Sequence, residues 1–342
     1  MPPHKLRSVS RWGLLVCDII LAVIAWFNIV SMKEAADLPA EYRLAVQGPP
    51  HDSAHGSPSF GIFRIDGNET DSSDLLRYDL CKYASGDSVT VTDVRGNIIS
   101  GAKIRLVSRY SSFELGTIAF VGAVFLLFGV YIIVQHSAQS YAGVLHALTV
   151  GTALMILYDW GSLKPYSVSF NALRWFLYDA AIWILPTLFF HFSFKYPNEK
   201  KKYRRFFIAF FYVVSVLGVG VSAYYLVQLF FYGIGVLHTH YLEIHDQVSD
   251  VFLMVGLLCA VANLEHSALT IQDAYDRKRI YWVLLGISFG PLVYVFLILV
   301  PRTMLGYELV SLSMLHYTLL MAPLMFYLAI RKAPDRKVEL SM

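Results

Sequence analysis

Residues 113–134 read FELGTIAFVGAVFLLFGVYIIV, an apolar run whose only charged residue is Glu114. A helix that rises about 1.5 Å per residue needs about 20 such residues to cross the hydrocarbon core of a bilayer. Because hydrocarbon offers no partners to open backbone groups, a run of this length is predicted to form a membrane-spanning helix. This stretch therefore indicates a membrane protein.

Seven further runs have similar length and hydropathy, so the sequence predicts eight transmembrane helices. Their approximate bounds are 12–32, 141–160, 171–194, 206–232, 249–270, 280–300 and 308–330. The composition agrees, since 56% of the 342 residues are hydrophobic and 15% are charged. In soluble domains about 45–50% of the residues are apolar and about 25% are charged. This balance excludes an ordinary soluble enzyme and a nucleic-acid-binding domain.

Basic residues indicate which side of the membrane holds the chain ends. They cluster before the first span, over 195–205, at 277–279 and after the last span. The short connections on the other side hold only Lys164 and Arg302. The positive-inside rule therefore predicts a multipass protein of the bacterial inner membrane with both termini in the cytoplasm.

The predicted fold class is an all-α polytopic membrane bundle that carries one small α+β domain. Residues 1–32 form the cytoplasmic N-terminus and a signal-anchor helix, and residues 33–112 form the extracytoplasmic domain. A seven-helix membrane block follows over 113–331, and 332–342 form a short cytoplasmic tail. Within the extracytoplasmic domain, 33–58 are expected to be a loop or linker because they are rich in Gly, Pro and His.

Alternating residues at 60–67, 88–92 and 103–107 predict strands, and 72–83 predict a short helix between the first two. From about residue 60 the domain resembles the C-terminal half of a PDZ domain. The resemblance lies in the turn I-D-G-N-E at 65–69 and the strand G-D-S-V-T-V at 86–91. It implies peptide capture by strand addition, with a small spacer domain as the alternative.

Three later stretches resemble the membrane sensor block of bacterial signalling proteins such as histidine kinases of the competence quorum-sensing type. They read LFFHFSFKYP at 188–197, RKRIYWVLLG at 277–286 and PLMFYLAIR at 323–331. In that family an output domain follows the last helix, whereas residues 332–342 leave no room for one. The resemblance implies a sensor that acts through a separate cytoplasmic partner, or a truncated chain.

Polar side chains in the outer half of the spans predict a ligand-binding cup, because such residues usually face the bundle interior. Arg174 and Tyr178 are four residues apart and so share one helix face. The alternatives are capping of helix ends and interhelical ion pairing. The candidate ligand-binding residues are Asp159, Arg174, Tyr178, Asp179, Tyr224, Tyr225 and His316.

Histidine and acidic side chains form two candidate metal sets, since imidazole and carboxylate groups bind zinc and iron. The alternatives are interface histidines that bond to water or backbone, and a solvated loop. The inner set is His146, His191, Glu265 and His266. The outer set is His238, His240 and His245. A further residue, Asp18 in the first span, is predicted to pair with a neighbouring helix.

The function expected from these features is that of a sensory or receptor-like membrane protein that relays an extracytoplasmic cue. Its expected partners are the lipid bilayer, a small molecule or peptide outside the cell, and a cytoplasmic signalling protein. A homodimer is a further expected arrangement. No nucleic acid, cofactor or catalytic output domain is expected. The alternatives are a transporter or channel, and a membrane enzyme with a His/Glu metal or haem site.

Overall fold

A computed structural model gives the structure of most of the chain. It describes residues 3–39, 63–66, 68–70, 78–93, 103–158, 161–164, 166–197, 204–232, 239–301, 310 and 312–331. Most of these residues are helical. Six of the helices are long and apolar enough to cross a membrane, which is the pattern of a multipass membrane protein. They are Arg11–Lys33, Ser112–His136, Val168–Lys195, Phe206–Tyr232, Gln247–Thr270 and Ala274–Leu299.

The labelled helices follow one another along the chain, with short connections after α2. They are α1 (Pro3–Lys33), α2 (Ser112–His136), α3 (Ala142–Leu157), α4 (Val168–Lys195), α5 (Arg204–Val227), α6 (Thr239–Thr270), α7 (Ala274–Phe289), α8 (Pro291–Tyr294), α9 (Leu312–Leu319) and α10 (Met321–Arg331). Two π-helical segments extend this list. Gln228–Tyr232 continues α5, and Val295–Leu299 follows α8.

Six of the eight predicted spans thus have the length that a crossing requires. The predicted span 141–160 corresponds to α3, whose 16 residues cover about 24 Å. The predicted span 308–330 is divided between α9 and α10, which are both short. Eight crossings therefore stay a prediction.

The start of α2 explains why its apolar run tolerates a charge. Ser111 accepts a hydrogen bond on its Oγ from the Glu114 backbone N–H at 3.1 Å. The Glu114 carboxylate in turn accepts one from the Ser111 N–H at 2.7 Å. This capping box satisfies two backbone donors that would otherwise lack a partner at the helix end.

Among the described residues the largest apolar core lies between α2, α3, α4, α6, α7 and α10. At one end of it Phe192 packs against Tyr196 and Phe326, with ring centroids 5.2 and 5.8 Å away. Helix α1 packs against α2 and α3 and forms a second apolar cluster with them. There the Tyr158 hydroxyl donates to the Leu21 carbonyl at 2.7 Å, so α1 belongs to the bundle and is more than an anchor.

The domain between α1 and α2 contains a four-stranded antiparallel sheet in the order β3-β2-β4-β5. The strands are β1 (Ala36–Asp37), β2 (Phe63–Ile65), β3 (Asn68–Thr70), β4 (Ser88–Asp93), β5 (Lys103–Arg105) and β6 (Val107–Ser108). The strand predicted at 88–92 is confirmed as β4, and the described part of the one predicted at 60–67 includes β2. The strand predicted at 103–107 is divided between β5 and β6, which belong to different sheets. The predicted helix at 72–83 is helical at 78–81, and its part before Tyr78 lies outside the described residues.

One end of the segment predicted to be a linker is ordered, because β1 pairs with β6 in antiparallel register. This pair brings the end of α1 next to the start of α2. The predicted D-G turn holds Asp66 at a φ of 49°. Its carboxylate accepts from the Thr90 N–H and from the Tyr83 hydroxyl, both at 2.8 Å. Burial and this carboxylate raise the pKa of Tyr83 to about 12.

The glycines of α5 offer a test of how α4 and α5 pack. A Cβ on Gly218 would fall within the indole ring of Trp183, whereas one on Gly220 would meet nothing within 4 Å. Gly218→Ala should lower the melting temperature, because overpacking costs about 1–3 kcal/mol. Gly220→Ala should leave it equal or slightly higher, since alanine favours helices over glycine. Thermal unfolding of both variants in detergent tests this expectation, and equal melting temperatures would contradict it.

Candidate functional site

The most extensive polar contact of the bundle surrounds Arg174, which lies two turns into α4 and is 0% exposed. Its Nη1 donates to Asn28 Oδ1 at 2.6 Å and to Ser31 Oγ. Its Nη2 donates to the Ser162 carbonyl at 3.1 Å and to Asn171 Oδ1. These five residues are called the Arg174 hub. All four N–H groups of the two terminal nitrogens therefore bond to oxygen atoms of the protein.

Aromatic rings cover the face of the same guanidinium. Its Cζ lies 5.3 Å from the centroid of Tyr166 and 5.8 Å from that of Phe170. Burial of a charge is costly unless the charge is hydrogen-bonded or otherwise stabilised. Here the oxygen acceptors and the aromatic ring faces stabilise the buried guanidinium together. Among the described residues, no carboxylate hydrogen-bonds to Arg174.

The hub fastens the end of α1 to two other elements. Asn28 Nδ2 donates to the Leu157 carbonyl at the end of α3 at 2.7 Å, and Ser31 Oγ donates to the Asn28 carbonyl at 2.7 Å. The connection after α3 passes so close that a Cβ on Gly161 would collide with Ser31 Oγ. Glycine is required there because two backbones approach each other.

The small domain docks on the same connection. The Leu163 N–H donates to the Cys81 carbonyl at 2.8 Å, and the Ser162 N–H donates to the Ser31 carbonyl at 3.0 Å. The Lys164 ammonium lies 3.0 Å from Asp87 Oδ2. Segment 161–164 therefore bonds to the small domain on one side and to α1 and Arg174 on the other.

Asp87 makes one hydrogen bond within the small domain and one ion pair across the docked contact. It accepts from the Ala84 N–H at 2.8 Å, and this bond together with Lys164 lowers the pKa of the Asp87 carboxyl. Lys164 and Asp87 are 54% and 38% exposed, so solvent screens their ion pair and the pair itself adds little stability.

A second polar cluster lies at the opposite end of α4 and is called the Arg279 cluster. Arg279 Nε donates to the Ala329 carbonyl at 2.8 Å, and Nη1 lies 3.3 Å from Asp276 Oδ1. The guanidinium stacks 5.3 Å over the ring of Tyr196. The Tyr196 hydroxyl donates to the same Ala329 carbonyl at 3.4 Å. Tyr196, Arg279 and Ala329 come from the three stretches on which the sensor resemblance rests.

The Arg279 cluster was not among the predicted site residues. Its signal was present in the sequence, because Arg279 and Tyr196 fall within the quoted motifs. What sequence alone does not give is the pairing of a guanidinium with a carbonyl 50 residues away. That contact depends on α7 packing against α10.

The residues predicted to form a ligand cup lie in different environments. Arg174 joins protein elements, and Tyr178 packs in the apolar cluster beside Trp175. Tyr225 is buried with its ring 6.1 Å from His245, whereas Tyr224 is 58% exposed on α5. Three predicted members remain. Asp179 is half-buried on α4, His316 is buried on α9, and Asp159 lies outside the described residues. A shared ligand cup therefore stays a prediction.

The inner metal set is not brought together. His146 bonds to α2, and His191 Nδ1 lies 2.9 Å from the Tyr212 hydroxyl on α5. Glu265 and His266 are both exposed on α6. Within the described part of the chain, no group of three His, Cys, Asp or Glu side chains could hold a metal ion.

Of the outer metal set, the structure describes only the His245 side chain. Its Nε2 accepts from Trp183 Nε1 at 3.0 Å and lies 2.7 Å from Ser222 Oγ. This histidine therefore joins α4, α5 and α6. His238 and the side chain of His240 lie outside the described residues.

Comparisons with known proteins add no relative to this picture. No protein-family model matches the chain. Searches of curated proteins and of solved structures also find no match. The resemblance in the three stretches and in the small domain accordingly stays a prediction.

Replacement of the Arg174 guanidinium tests the hub. Arg174→Lys should lower the melting temperature, because one ammonium has three donors and cannot reach four acceptors. Each buried acceptor left without a donor costs about 1–3 kcal/mol. Arg109→Lys is the matched control, since within the described part of the chain that half-buried guanidinium stacks on Tyr110 alone. Equal thermal unfolding of the two variants would show that the hub contributes no stability.

Acid should loosen the docked contact at Asp87. Because the pKa of this carboxyl is lowered by folding, its contribution is present above about pH 4 and is lost as the pH falls through the lowered value. Amide exchange at Leu163, normalised to intrinsic rates, should therefore rise below about pH 4. Asp87→Asn should abolish this acid response, and Lys164→Met should reduce it. An unchanged response in Asp87→Asn would contradict the assignment.

Proposed function

We propose that the chain is a multipass membrane sensor. A cue acting on the small domain would shift segment 161–164 and the Arg174 hub, and α4 would carry this shift to the Arg279 cluster on the other side of the membrane. A cytoplasmic signalling protein would then respond to the changed inner ends of α7 and α10. The observation that carries the proposal is that Arg174 bonds α1, α4 and the docked connection at one point.

The geometry of α4 supports a relay. The helix has 28 residues and extends about 42 Å, enough to reach from one face of a bilayer to the other. Arg174 lies in its second turn and Tyr196 follows its last turn. Midway, Pro186 packs so tightly against Gly256 of α6 that a Cβ there would collide with it. A proline within a helix is a natural point of bending.

The inner end of the bundle suits an output surface. Arg277 and Lys278 are exposed on the first turn of α7, next to the buried Arg279. A shift of Tyr196 would act on the Arg279 guanidinium that stacks on its ring, and so on the Ala329 carbonyl that both groups contact. The exposed basic residues beside them would change position as α7 and α10 adjust.

The topology that belongs to this proposal has eight crossings and both termini in the cytoplasm. Residues 33–112 would then face the outside, with a fold like half a PDZ domain. The distribution of basic residues supports this orientation. A cue can shift the bundle only through its different affinity for two states, so the docked contact must differ between them.

Coupling between the two ends of α4 tests the proposal. Asn28→Ala removes an acceptor of the Arg174 hub, and Tyr196→Phe removes a donor at the Arg279 cluster. If the ends are coupled, Asn28→Ala changes amide exchange at 329–331 and Tyr196→Phe changes it at Leu163, each by about 5-fold or more. Exchange of the full chain in lipid nanodiscs, followed by mass spectrometry, measures both.

Two controls separate coupling from general loss of stability. Gly129→Ala should disturb α2 and α3, because a Cβ there would lie 2.8 Å from Thr149 Oγ1, and it should leave the ratio of exchange at the two ends of α4 unchanged. Labelling from each side with an impermeant maleimide should modify Ser85→Cys and Lys278→Cys from opposite faces. Exchange confined to the mutated end, or labelling from one face, would contradict the proposal.

A further inference from the structure

A buried acid and a buried imidazole meet inside the bundle, away from both the Arg174 hub and the Arg279 cluster. Asp18 on α1 and His146 on α3 have side chains that are 7% and 5% exposed. Asp18 Oδ1 lies 3.6 Å from His146 Nε2, which confirms the prediction that Asp18 pairs with a neighbouring helix.

The backbone of α2 fixes which imidazole nitrogen faces the acid. His146 Nδ1 lies 3.0 Å from the Gly129 carbonyl oxygen. A carbonyl oxygen only accepts, so Nδ1 carries a hydrogen and donates it. Gly129 allows this approach, because a Cβ there would lie 2.8 Å from Thr149 Oγ1. The other nitrogen, Nε2, is therefore the one whose protonation varies.

We infer that Asp18 and His146 together form a binding site for one exchangeable proton. With one proton on either Oδ1 or Nε2, the pair has no net charge. Without it, the pair would carry one negative charge in a medium that solvates charge poorly. With two protons, the pair would carry one positive charge.

The other oxygen of the acid favours the protonated pair. Asp18 Oδ2 has no hydrogen-bond partner among the described residues. A carboxylate with one oxygen unsatisfied is costly in a low dielectric, and a proton on the pair removes most of that cost. The unsatisfied oxygen therefore favours the state with one proton on the pair.

The surrounding helices bring few other ionisable groups to the pair. On α3, His146 is the only ionisable side chain, and on α1 the neighbouring Cys17 is exposed. On α2 the ionisable side chains are Glu114, which caps the helix start, and Tyr131 and His136, whose side chains lie 3.3 Å apart. The described residues thus offer no further ionised partner at hydrogen-bond distance.

One shared proton predicts a distinct spectroscopic result for the full chain in nanodiscs at about pH 7. The C=O stretch of a protonated carboxyl group, assigned by its loss in Asp18→Asn, reports a proton on the acid. The ¹⁵N shift of Nε2, assigned by its loss in His146→Gln, reports a proton on the imidazole. Full occupancy of one of these two states, or partial occupancies that sum to one, supports the site. A sum near zero or two overturns it.

Stability supplies a second test that does not depend on assignment. His146→Leu leaves the acid alone, so this variant should melt at a lower temperature at about pH 8 than at about pH 5. The double variant Asp18→Asn with His146→Leu should lose this difference. The native chain should show about half of it, because the histidine of the unfolded chain still carries a proton up to about pH 6.5. A native chain as sensitive to pH as His146→Leu would overturn the inference. Asp18→Asn should still fold, because its amide can donate to Nε2.

Discussion

Satisfaction of polar groups without water is the constraint on which this structure depends. A guanidinium inside a helical bundle has to find its acceptors within the protein, and Arg174 finds four of them on three separate parts of the chain. The same requirement explains why α2 begins with a capping box and why His146 bonds a backbone carbonyl. Arg174 and His146 thereby each fix the position of a second element.

These contacts divide the bundle into two ends joined by one helix. At one end, bonds to main-chain carbonyls of segment 161–164 and of Cys81 connect the small domain to the helices. At the other end, α7 and α10 meet at the Ala329 carbonyl, where Arg279 and Tyr196 both bond. Helix α4 reaches both places, and its only internal proline contacts a glycine of α6. Among the described residues, α4 is thus the helix that links the two polar clusters.

Hydropathy predicted the helices well, because a run such as 113–134 has one physical explanation. The alternating residues of 88–92 likewise predicted β4, and Asp66 predicted its turn. The partners of Arg174 could not be predicted, because Asn28 and Ser31 lie more than 140 residues away and look like ordinary polar residues near a helix end. The short β1–β6 pair was missed because two residues are too few to show the alternation of apolar and polar side chains that predicts a strand. The described residues do not bring the inner metal set together, and spacing along three helices says little about which faces those helices turn toward one another.

The bonds between Arg174 and the end of α1 have a consequence for how the protein is made. The first helix leaves the ribosome long before Arg174 does, and yet it supplies two of the four oxygens that Arg174 needs. During synthesis, the contact between α1 and Arg174 can therefore form only after α4 has been made. A cell that cut the chain after α1 would leave a permanent cation inside the remaining helices.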